Sequence, residues 1–211
     1  MNPSDLFIYS LGFVAQALFG FRMINQWLQS ERVGIVTSPA LFWRTSLAAA
    51  FLFLIYGILR RDAVIIFGQQ LSYFIYIRNL QLKHDWLSIH PAFRFVSLTL
   101  PVITIGWLYS DSHLLTTIFL KNDITHPIIL LGAAGQLALS LRFVYQWAYS
   151  EKRKSSLLPF GFWIISIAGS LCVTVYALYR ADPVLLVAQF LGLGVYARNV
   201  MLGWNETNLK K

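Results

Sequence analysis

Long apolar segments separated by short polar connections run through the whole chain. A helix needs about 20 residues to cross the hydrocarbon core of a bilayer, which is about 30 Å thick. Six segments have that length, and a seventh is weaker because it contains Pro101, a residue that neighbouring helices can accommodate in a membrane. The pattern predicts seven membrane helices, at residues 6–29, 40–59, 63–82, 93–110, 128–149, 160–179 and 183–203. The polar residues 111–126 are expected to form an interfacial segment.

The strongest feature of the sequence is an internal repeat with an offset of 120 residues. Residues 12–82 align without a gap on residues 132–202, and 22 of the 71 positions are identical. Polar residues dominate the matches, which include Gln16/Gln136, Arg22/Arg142, Gln26/Gln146, Glu31/Glu151, Asp62/Asp182, Gln69/Gln189, Tyr76/Tyr196, Arg78/Arg198 and Asn79/Asn199. Chance does not produce a gapless match of this kind, so the chain contains two copies of one unit.

Each copy contains three of the predicted helices, and one linker helix lies between the copies. With one crossing between two three-helix units, both units enter the membrane in the same direction. This arrangement predicts parallel repeats about an axis along the membrane normal. The predicted domains are residues 1–88 for the first repeat, 89–126 for the linker helix with its interfacial segment, and 127–211 for the second repeat. The predicted fold class is therefore an all-α integral membrane protein with a three-plus-one-plus-three arrangement.

Composition and charge support a membrane location. Hydrophobic residues make up 57% of the chain and charged residues 12%, about half the charged share that is typical of soluble domains. This composition rules out a soluble enzyme, a disordered chain and a nucleic-acid-binding domain, although the net charge is +8. Loops on one side hold eight Lys and Arg residues against four on the other. The positive-inside rule then predicts a periplasmic N-terminus and a cytoplasmic C-terminus.

Three motifs occur once in each copy: Gln-x5-Arg-x3-Gln-Trp-x2-Ser-Glu, Pro-x2-Phe-Trp-x2-Ser and Gln-x6-Tyr-x-Arg-Asn. They resemble the small membrane domain named after the N-terminus of lipid A disaccharide synthase, here present twice, at residues 12–82 and 132–202. That family is grouped with the PQ-loop and SWEET-like membrane proteins. The resemblance implies the three-plus-one-plus-three architecture, a bacterial inner membrane, and a role in lipid A or envelope glycolipid pathways.

Four arginines within the predicted helices are candidate ligands for an anionic headgroup: Arg22, Arg78, Arg142 and Arg198. Arg22 lies roughly 10 Å inside the cytoplasmic end of its helix at 1.5 Å per residue, and a charged residue within a span usually faces the bundle interior or a wet cavity. Glu31 and Glu151 are the candidate acidic partners, or gating residues, and they leave an excess of positive charge. A phosphate would neutralise it, because the planar guanidinium matches phosphate oxygens bidentately. The alternative is structural, with Arg22 paired to Glu31 and Arg78 reaching lipid headgroups.

Amide and phenol side chains form a second set of candidates. Gln26 follows Arg22 by four residues and shares its helix face, as Gln146 does with Arg142. We expect these two pairs to face one cavity that is open to the cytoplasmic leaflet. Candidate ligands for sugar hydroxyls are Gln16, Gln136, Gln69, Gln189, Tyr76, Tyr196, Asn79 and Asn199. The same residues are equally suited to hydrogen bonds between helices, which contribute about 0.6 kcal/mol each.

Other polar residues carry weaker expectations. Asp62 and Asp182 lie in tight outer turns after Arg60 and Arg180, where they cap the following helices or form a periplasmic gate. The four histidines lack metal-ligand spacing, so no metal and no cofactor are expected. The chain has no catalytic motif and no soluble nucleotide-sugar domain, so the sequence predicts that it is not an enzyme.

Three hypotheses for function remain open. The first is a transporter or flippase that moves an anionic lipid-linked sugar, such as a polyprenyl-phosphate sugar, to the periplasmic leaflet. The second is a SWEET-like carrier for small solutes, which does not account for four arginines within the membrane. The third is a non-transporting membrane scaffold for a lipid A glycosyltransferase. The expected partners are a membrane lipid or glycolipid and a membrane glycosyltransferase, with no nucleic acid.

Overall fold

The structure is a computed structural model that describes residues 3–60, 63–110, 127–179, 181 and 183–209. These residues form seven α-helices, one short 3-10 helix at Trp86–Ser88, and no strand. The helices are α1 (Pro3–Val33), α2 (Ala40–Leu59), α3 (Ala63–Leu82), α4 (Pro91–Ser110), α5 (Pro127–Arg153), α6 (Phe160–Tyr179) and α7 (Pro183–Leu209). The all-α class and the order of three, one and three helices are confirmed. The predicted interfacial segment at residues 111–126, together with Asp62 and Asp182, lies outside the described residues.

Membrane character is visible in both the lengths and the surfaces of the helices. Within the described residues, α1, α2, α5 and α6 are long and apolar enough to cross a bilayer, and residues 91–107 of α4 form a shorter apolar helix. Large apolar side chains lie on the outside of the helices, including Phe13, Val102 and Leu191. An outer surface with many large apolar side chains suits contact with lipid. The chain is an all-α membrane protein.

Packing divides the chain into two compact units. Unit 1 comprises Met1–Arg22 and Ala40–Asn122, and unit 2 comprises Met23–Pro39 and Asp123–Lys211. The core of unit 1 contains fully buried apolar side chains of α2 and α3, namely Phe42, Trp43, Leu47, Leu54, Ile75 and Leu80. The core of unit 2 contains Phe143, Phe162, Trp163, Val173, Ala177 and Leu202. The domain boundaries predicted from the repeat, and the axis that relates the copies, stay predictions.

Matching positions of the two repeats adopt the same local structure. The first helix of each copy ends just before a residue with a left-handed backbone, Gly34 (φ 76°) after α1 and Lys154 (φ 51°) after α5. Close contacts between the first and second helices recur as well. Gly12 lies against the ring of Tyr56 in unit 1, and Gly132 lies against the ring of Tyr176 in unit 2. Small residues allow such close approach between membrane helices, which explains glycine at both positions.

Candidate functional site

The centre of unit 2 holds a buried arginine on α5. The side chain of Arg142 is only 7% exposed, and its Nη1 donates a hydrogen bond of 2.9 Å to Ser166 Oγ on α6. The guanidinium carbon lies 5.1 Å, 5.2 Å and 5.1 Å from the ring centres of Phe143, Phe162 and Tyr196. Aromatic faces attract a cation at these distances. The three rings therefore hold the guanidinium in place without neutralising its charge.

No acidic group compensates Arg142 within the part of the chain that the structure describes. Arg142 takes no part in the ion pairs Arg44–Asp85, Lys154–Glu151 and Arg198–Glu31. The Nε of Arg142 is buried and has no hydrogen-bond partner among the described residues. Removing a charge from water is costly unless it is paired and hydrogen-bonded. Arg142 is therefore a cation with unused donor capacity, which suits it to an anionic oxygen.

The first repeat places the equivalent residues around Arg22 in unit 1. Arg22 is 6% exposed, and its Nη1 donates to Ser46 Oγ at 2.8 Å and to Tyr76 Oη at 3.0 Å. Its guanidinium carbon lies 4.6 Å, 5.2 Å and 5.4 Å from the rings of Phe19, Phe42 and Tyr76. Each repeat thus encloses one arginine between a serine of its second helix and a tyrosine of its third helix.

Gln26 and Gln146 hold the loops that follow α1 and α5. Both side chains are fully buried. The Nε2 of Gln146 donates to Ser150 Oγ at 2.8 Å and to the Leu157 carbonyl at 2.7 Å. Gln26 makes the equivalent bonds to Ser30 Oγ at 2.9 Å and to the carbonyl of residue 37 at 3.2 Å. The amide groups therefore bind loop backbone in both copies.

Asn199 extends this network in unit 2. Gln26 Nε2 donates to Asn199 Oδ1 at 2.9 Å, and Asn199 Nδ2 donates to Gln26 Oε1 at 3.3 Å. In unit 1, the buried Asn79 donates from Nδ2 to the Ile75 carbonyl at 2.9 Å. These polar groups are buried with satisfied hydrogen bonds, as the interior of a helical bundle requires.

Unit 2 contains an ion pair between Arg198 and Glu31, a carboxylate for which the sequence suggested Arg22 as a partner. Arg198 donates to Glu31 through Nε at 2.5 Å and through Nη2 at 3.0 Å, a bidentate arrangement. Trp27 Nε1 donates to the same carboxylate at 2.8 Å. Arg198 is about half exposed, so this pair lies at the surface of the unit and is distinct from the buried guanidinium of Arg142.

The remaining predicted residues are spread over the two units. Arg78 donates to Gln81 Oε1 at 3.1 Å, and Glu151 accepts from Lys154 at 3.1 Å. Ser170 donates to Gln189 Oε1 at 2.6 Å, whereas the buried Oε1 of Gln69 has no hydrogen-bond partner among the described residues. The side chains of Gln16 and Gln136 are exposed. No group of three potential metal ligands occurs among the residues that the structure describes.

Sequence reasoning did not select Ser46, Ser166, Phe42 and Phe162 as site residues, although they surround the two arginines. The available signal was the motif Pro-x2-Phe-Trp-x2-Ser, which is identical in both copies. A serine that recurs within an otherwise apolar helix has a polar partner to satisfy. That partner is the arginine of the preceding helix.

One charged cluster joins Arg44, near the start of α2, to the connection after α3. Asp85 accepts hydrogen bonds from Nε and Nη2 of Arg44, and Arg44 Nη2 also donates to Ser88 Oγ at 2.7 Å. The hydrogen bonds from Arg44 hold the pKa of Asp85 below its usual value. Burial lowers the pKa of the neighbouring Lys83. The cluster ties the start of α2 to the connection between α3 and α4.

Comparison with known proteins identifies the repeated unit. A family model described as the Lipid A Biosynthesis N-terminal domain matches residues 11–81 and again residues 131–201. The resemblance derived from the three motifs is confirmed, with both copies at the expected positions. No solved structure matches the chain significantly.

Curated relatives carry the name lipid-A-disaccharide synthase. The protein of Chlamydia pneumoniae is 27% identical over 98% of this chain and 35% of its own length. Those of Chlamydia muridarum and Chlamydia caviae are each 26% identical, over 95% and 97% of this chain and over 35% and 34% of their own lengths. The chain therefore spans about a third of the length of these relatives.

These names overturn the prediction that the chain is not an enzyme. That prediction depended on the lack of a catalytic motif, yet the relatives that match almost the whole chain are named for an enzyme. The chain spans about a third of these relatives, so the lack of a catalytic motif within it says nothing about their activity. The prediction is wrong, and the family match shows a membrane domain related to lipid A biosynthesis.

Proposed function

Because the chain belongs to the lipid A biosynthesis N-terminal domain family, we propose that it binds a phosphate-bearing lipid-linked sugar of this pathway and moves it across the membrane. The single observation that carries the proposal is Arg142, a buried cation with no acidic partner among the described residues. Its buried Nε lacks a hydrogen-bond partner there. A phosphate oxygen supplies both the missing charge and the missing acceptor.

Orientation and chemistry support the same substrate class. The charge distribution of the loops favours a periplasmic N-terminus and a cytoplasmic C-terminus in the inner membrane. In that orientation, Arg142 belongs to the cytoplasmic half of α5, the side on which lipid-linked precursors would enter. The shared repeat favours a path for the sugar between helices that carry amide and phenol groups. The sugar-binding roles of Gln69, Gln189, Tyr76 and Tyr196 belong to this proposal.

A second candidate function is favoured by the names of the relatives. In this alternative, the chain is the membrane part of a lipid-A-disaccharide synthase and presents the glycolipid to the site of sugar transfer. Both candidates need the same phosphate contact at Arg142. They differ in whether the bound lipid crosses the bilayer.

The test uses the purified full chain in liposomes with a short-chain polyprenyl-phosphate sugar that carries a fluorescent group on the sugar. Movement between leaflets is measured as the loss of protection from a membrane-impermeant quencher, and binding is measured by titration in detergent. Arg142→Gln removes the charge and keeps an amide near Ser166. We expect it to weaken binding roughly 10-fold to 100-fold, as expected for loss of a charge-assisted hydrogen bond. Arg142→Lys should retain only part of the wild-type affinity, because an ammonium group lacks the planar donor fork of a guanidinium.

Arg153→Gln is the matched control, because it removes one positive charge from an exposed residue of the same helix. Wild-type protein is also titrated with a probe that has a neutral link in place of the phosphate, which should bind weakly whether or not the variants fold. Equal binding of the phosphorylated and neutral probes would refute the proposal. Phosphate-dependent binding that needs Arg142, without movement between leaflets, would select the second candidate.

A further inference from the structure

A groove opens between α1 and α2 in unit 1, on the side where α1 begins and α2 ends. It has a volume of about 240 Å³ and is lined by Tyr9, Gly12, Phe13, Gln16, Phe53 and Tyr56. One water molecule takes about 30 Å³ in the liquid, so the groove has room for a group as large as a single sugar ring. Along α1, Tyr9 lies roughly 20 Å from Arg22 at 1.5 Å per residue. The groove therefore occupies the opposite end of the unit from the buried arginine.

The aromatic walls of the groove are fixed by their own packing. Phe53 stacks on Tyr56 with 5.6 Å between the ring centres, and Phe19 packs edge-on against Phe53 at 6.1 Å. A Cβ added at Gly12 would lie 3.0 Å from Cε2 of Tyr56, so the glycine lets that ring lie against α1. Walls that are already in place lower the entropic cost of binding a ligand.

Gln16 is the polar group at the inner end of the groove. Its side chain is exposed and makes no hydrogen bond with any residue that the structure describes. It lies roughly 15 Å along the helix from Leu6 at 1.5 Å per residue, which is half the thickness of a hydrocarbon core of about 30 Å. Water is not available to an amide at that depth, and polar residues there usually mark a substrate path. An amide both donates and accepts hydrogen bonds, which suits a hydroxyl group.

Arg60 lies at the outer rim of the groove, directly after the last residue of α2. Its Nη1 donates to Tyr9 Oη at 3.1 Å, and its guanidinium carbon lies 5.1 Å from the centre of the Tyr9 ring. Arg60 takes no part in the ion pairs of the described residues, and its Nε and Nη2 donate to none of those residues. The exposed guanidinium thus keeps two donors available at the level of lipid headgroups, where they match phosphate oxygens.

The aromatic lining belongs to the first repeat alone. In the second repeat, the positions equivalent to Tyr9, Phe13 and Phe53 hold Ile129, Ala133 and Val173. The glycine, the glutamine and the second tyrosine of the groove recur in both copies. The packing that the repeats share therefore does not require the three extra rings, which give unit 1 a surface of its own.

We infer that this groove binds the sugar-phosphate headgroup of the lipid-linked sugar, with the ring against Phe13 and Phe53, a hydroxyl at Gln16 and the phosphate at Arg60. An acyl chain would fill the same space but would leave the amide and the guanidinium without partners. In the orientation that the loop charges favour, the groove opens to the periplasmic leaflet, where the moved lipid is released. The inference rests on the proposed function and adds a second binding site to it.

The experiment uses the full chain in detergent and a short-chain polyprenyl-phosphate sugar that carries a photoreactive diazirine on the sugar. After irradiation at a subsaturating probe concentration, mass spectrometry locates and quantifies the modified residues. We expect modification within residues 9–16 of α1 and 53–56 of α2. Arg60→Gln should lower it about 10-fold, the effect of one charge-assisted hydrogen bond, and Gln16→Leu roughly 3-fold to 10-fold, the effect of a neutral one. Arg32→Gln is the matched control, because it removes one exposed positive charge from the other end of α1.

Tyr9→Phe separates a phosphate contact from a merely structural role of Arg60. It breaks the hydrogen bond between the two residues and keeps the guanidinium, so it should lower modification less than Arg60→Gln does. An equal loss in both variants would mean that Arg60 acts by fixing Tyr9, and the inference would be wrong. Equal modification by a probe with a neutral link in place of the phosphate would also overturn it, since the groove would then accept any lipid chain.

The same probe distinguishes failure of the inference from failure of the proposed function. Phosphate-dependent binding that needs Arg142, without modification of the groove, would overturn the inference and leave the proposed function intact. Equal total binding of the phosphorylated and neutral probes would overturn the proposed function, and the inference would fail with it.

Discussion

Gly135 on α5 packs closely against the backbone of α6 in unit 2. A Cβ at this position would lie 2.7 Å from the carbonyl oxygen of Gly169 and 2.7 Å from Cβ of Cys172, both on α6. It would also lie 3.0 Å from Cγ2 of Val173. Real side chains do not occupy such distances, and a backbone oxygen cannot rotate away. Gly135→Ala should therefore force α5 and α6 apart.

The size of this effect follows from two opposing contributions. Overpacking of a well-packed interior costs about 1–3 kcal/mol, and the backbone contact at Gly135 places the cost towards the upper end. Replacing glycine by alanine within a helix stabilises the folded state by about 1 kcal/mol. Gly194→Ala on α7 provides that gain alone, because no atom lies within 4 Å of the added Cβ. The free energy of unfolding should then differ between the two variants by about 1–3 kcal/mol.

The assay is thermal unfolding of the purified chain in detergent, followed by circular dichroism. A difference of 1 kcal/mol corresponds to roughly 2–4 °C in the midpoint for a chain of this size. Alanine occurs at the equivalent positions of the first repeat, as the buried Ala15 and Ala49, so the residue type itself is compatible with this helix pair. Equal midpoints for Gly135→Ala and Gly194→Ala would refute the backbone contact between α5 and α6.

Two further predictions concern hydrogen-bonded pairs. Asp85→Asn should lower stability by less than about 1 kcal/mol, as expected for a partly exposed ion pair, because it removes the carboxylate that Arg44 binds. The pKa of Asp85 is lowered in the folded chain. The loss of stability relative to wild type is therefore fully present above the unfolded pKa of about 3.9. It shrinks as the pH falls through the lower folded pKa, and a pH-independent difference would contradict the ion pair. Gln26→Ala and Asn199→Ala should each cost about 1–3 kcal/mol, since each leaves a buried amide without its partner. A double-mutant cycle of unfolding midpoints should show coupling between the two substitutions, and additive effects would disprove their hydrogen bonds.

Patterns along the chain determined the all-α membrane class, the seven helices and the repeated unit. Hydropathy is a local property, and a membrane requires each helix to satisfy its own backbone hydrogen bonds. The segments 40–59, 63–82 and 160–179 therefore match α2, α3 and α6 residue for residue. The other helices extend beyond the apolar segments, as α1 does to Val33, because helical hydrogen bonding continues into the polar interface.

Only the tertiary structure decided which atoms of the recurring polar residues are already engaged. The spacing of Gln26 and Gln146 suggested ligands beside the arginines, and the structure has their amides bound to loop carbonyls. Arg22 and Arg142 are equivalent in sequence, yet they differ in their bond to the tyrosine. The choice of a hydrogen-bond partner depends on distances of a few tenths of an ångström between packed helices. Such distances are set by the packing of the surrounding helices, and the identity of the arginine does not determine them.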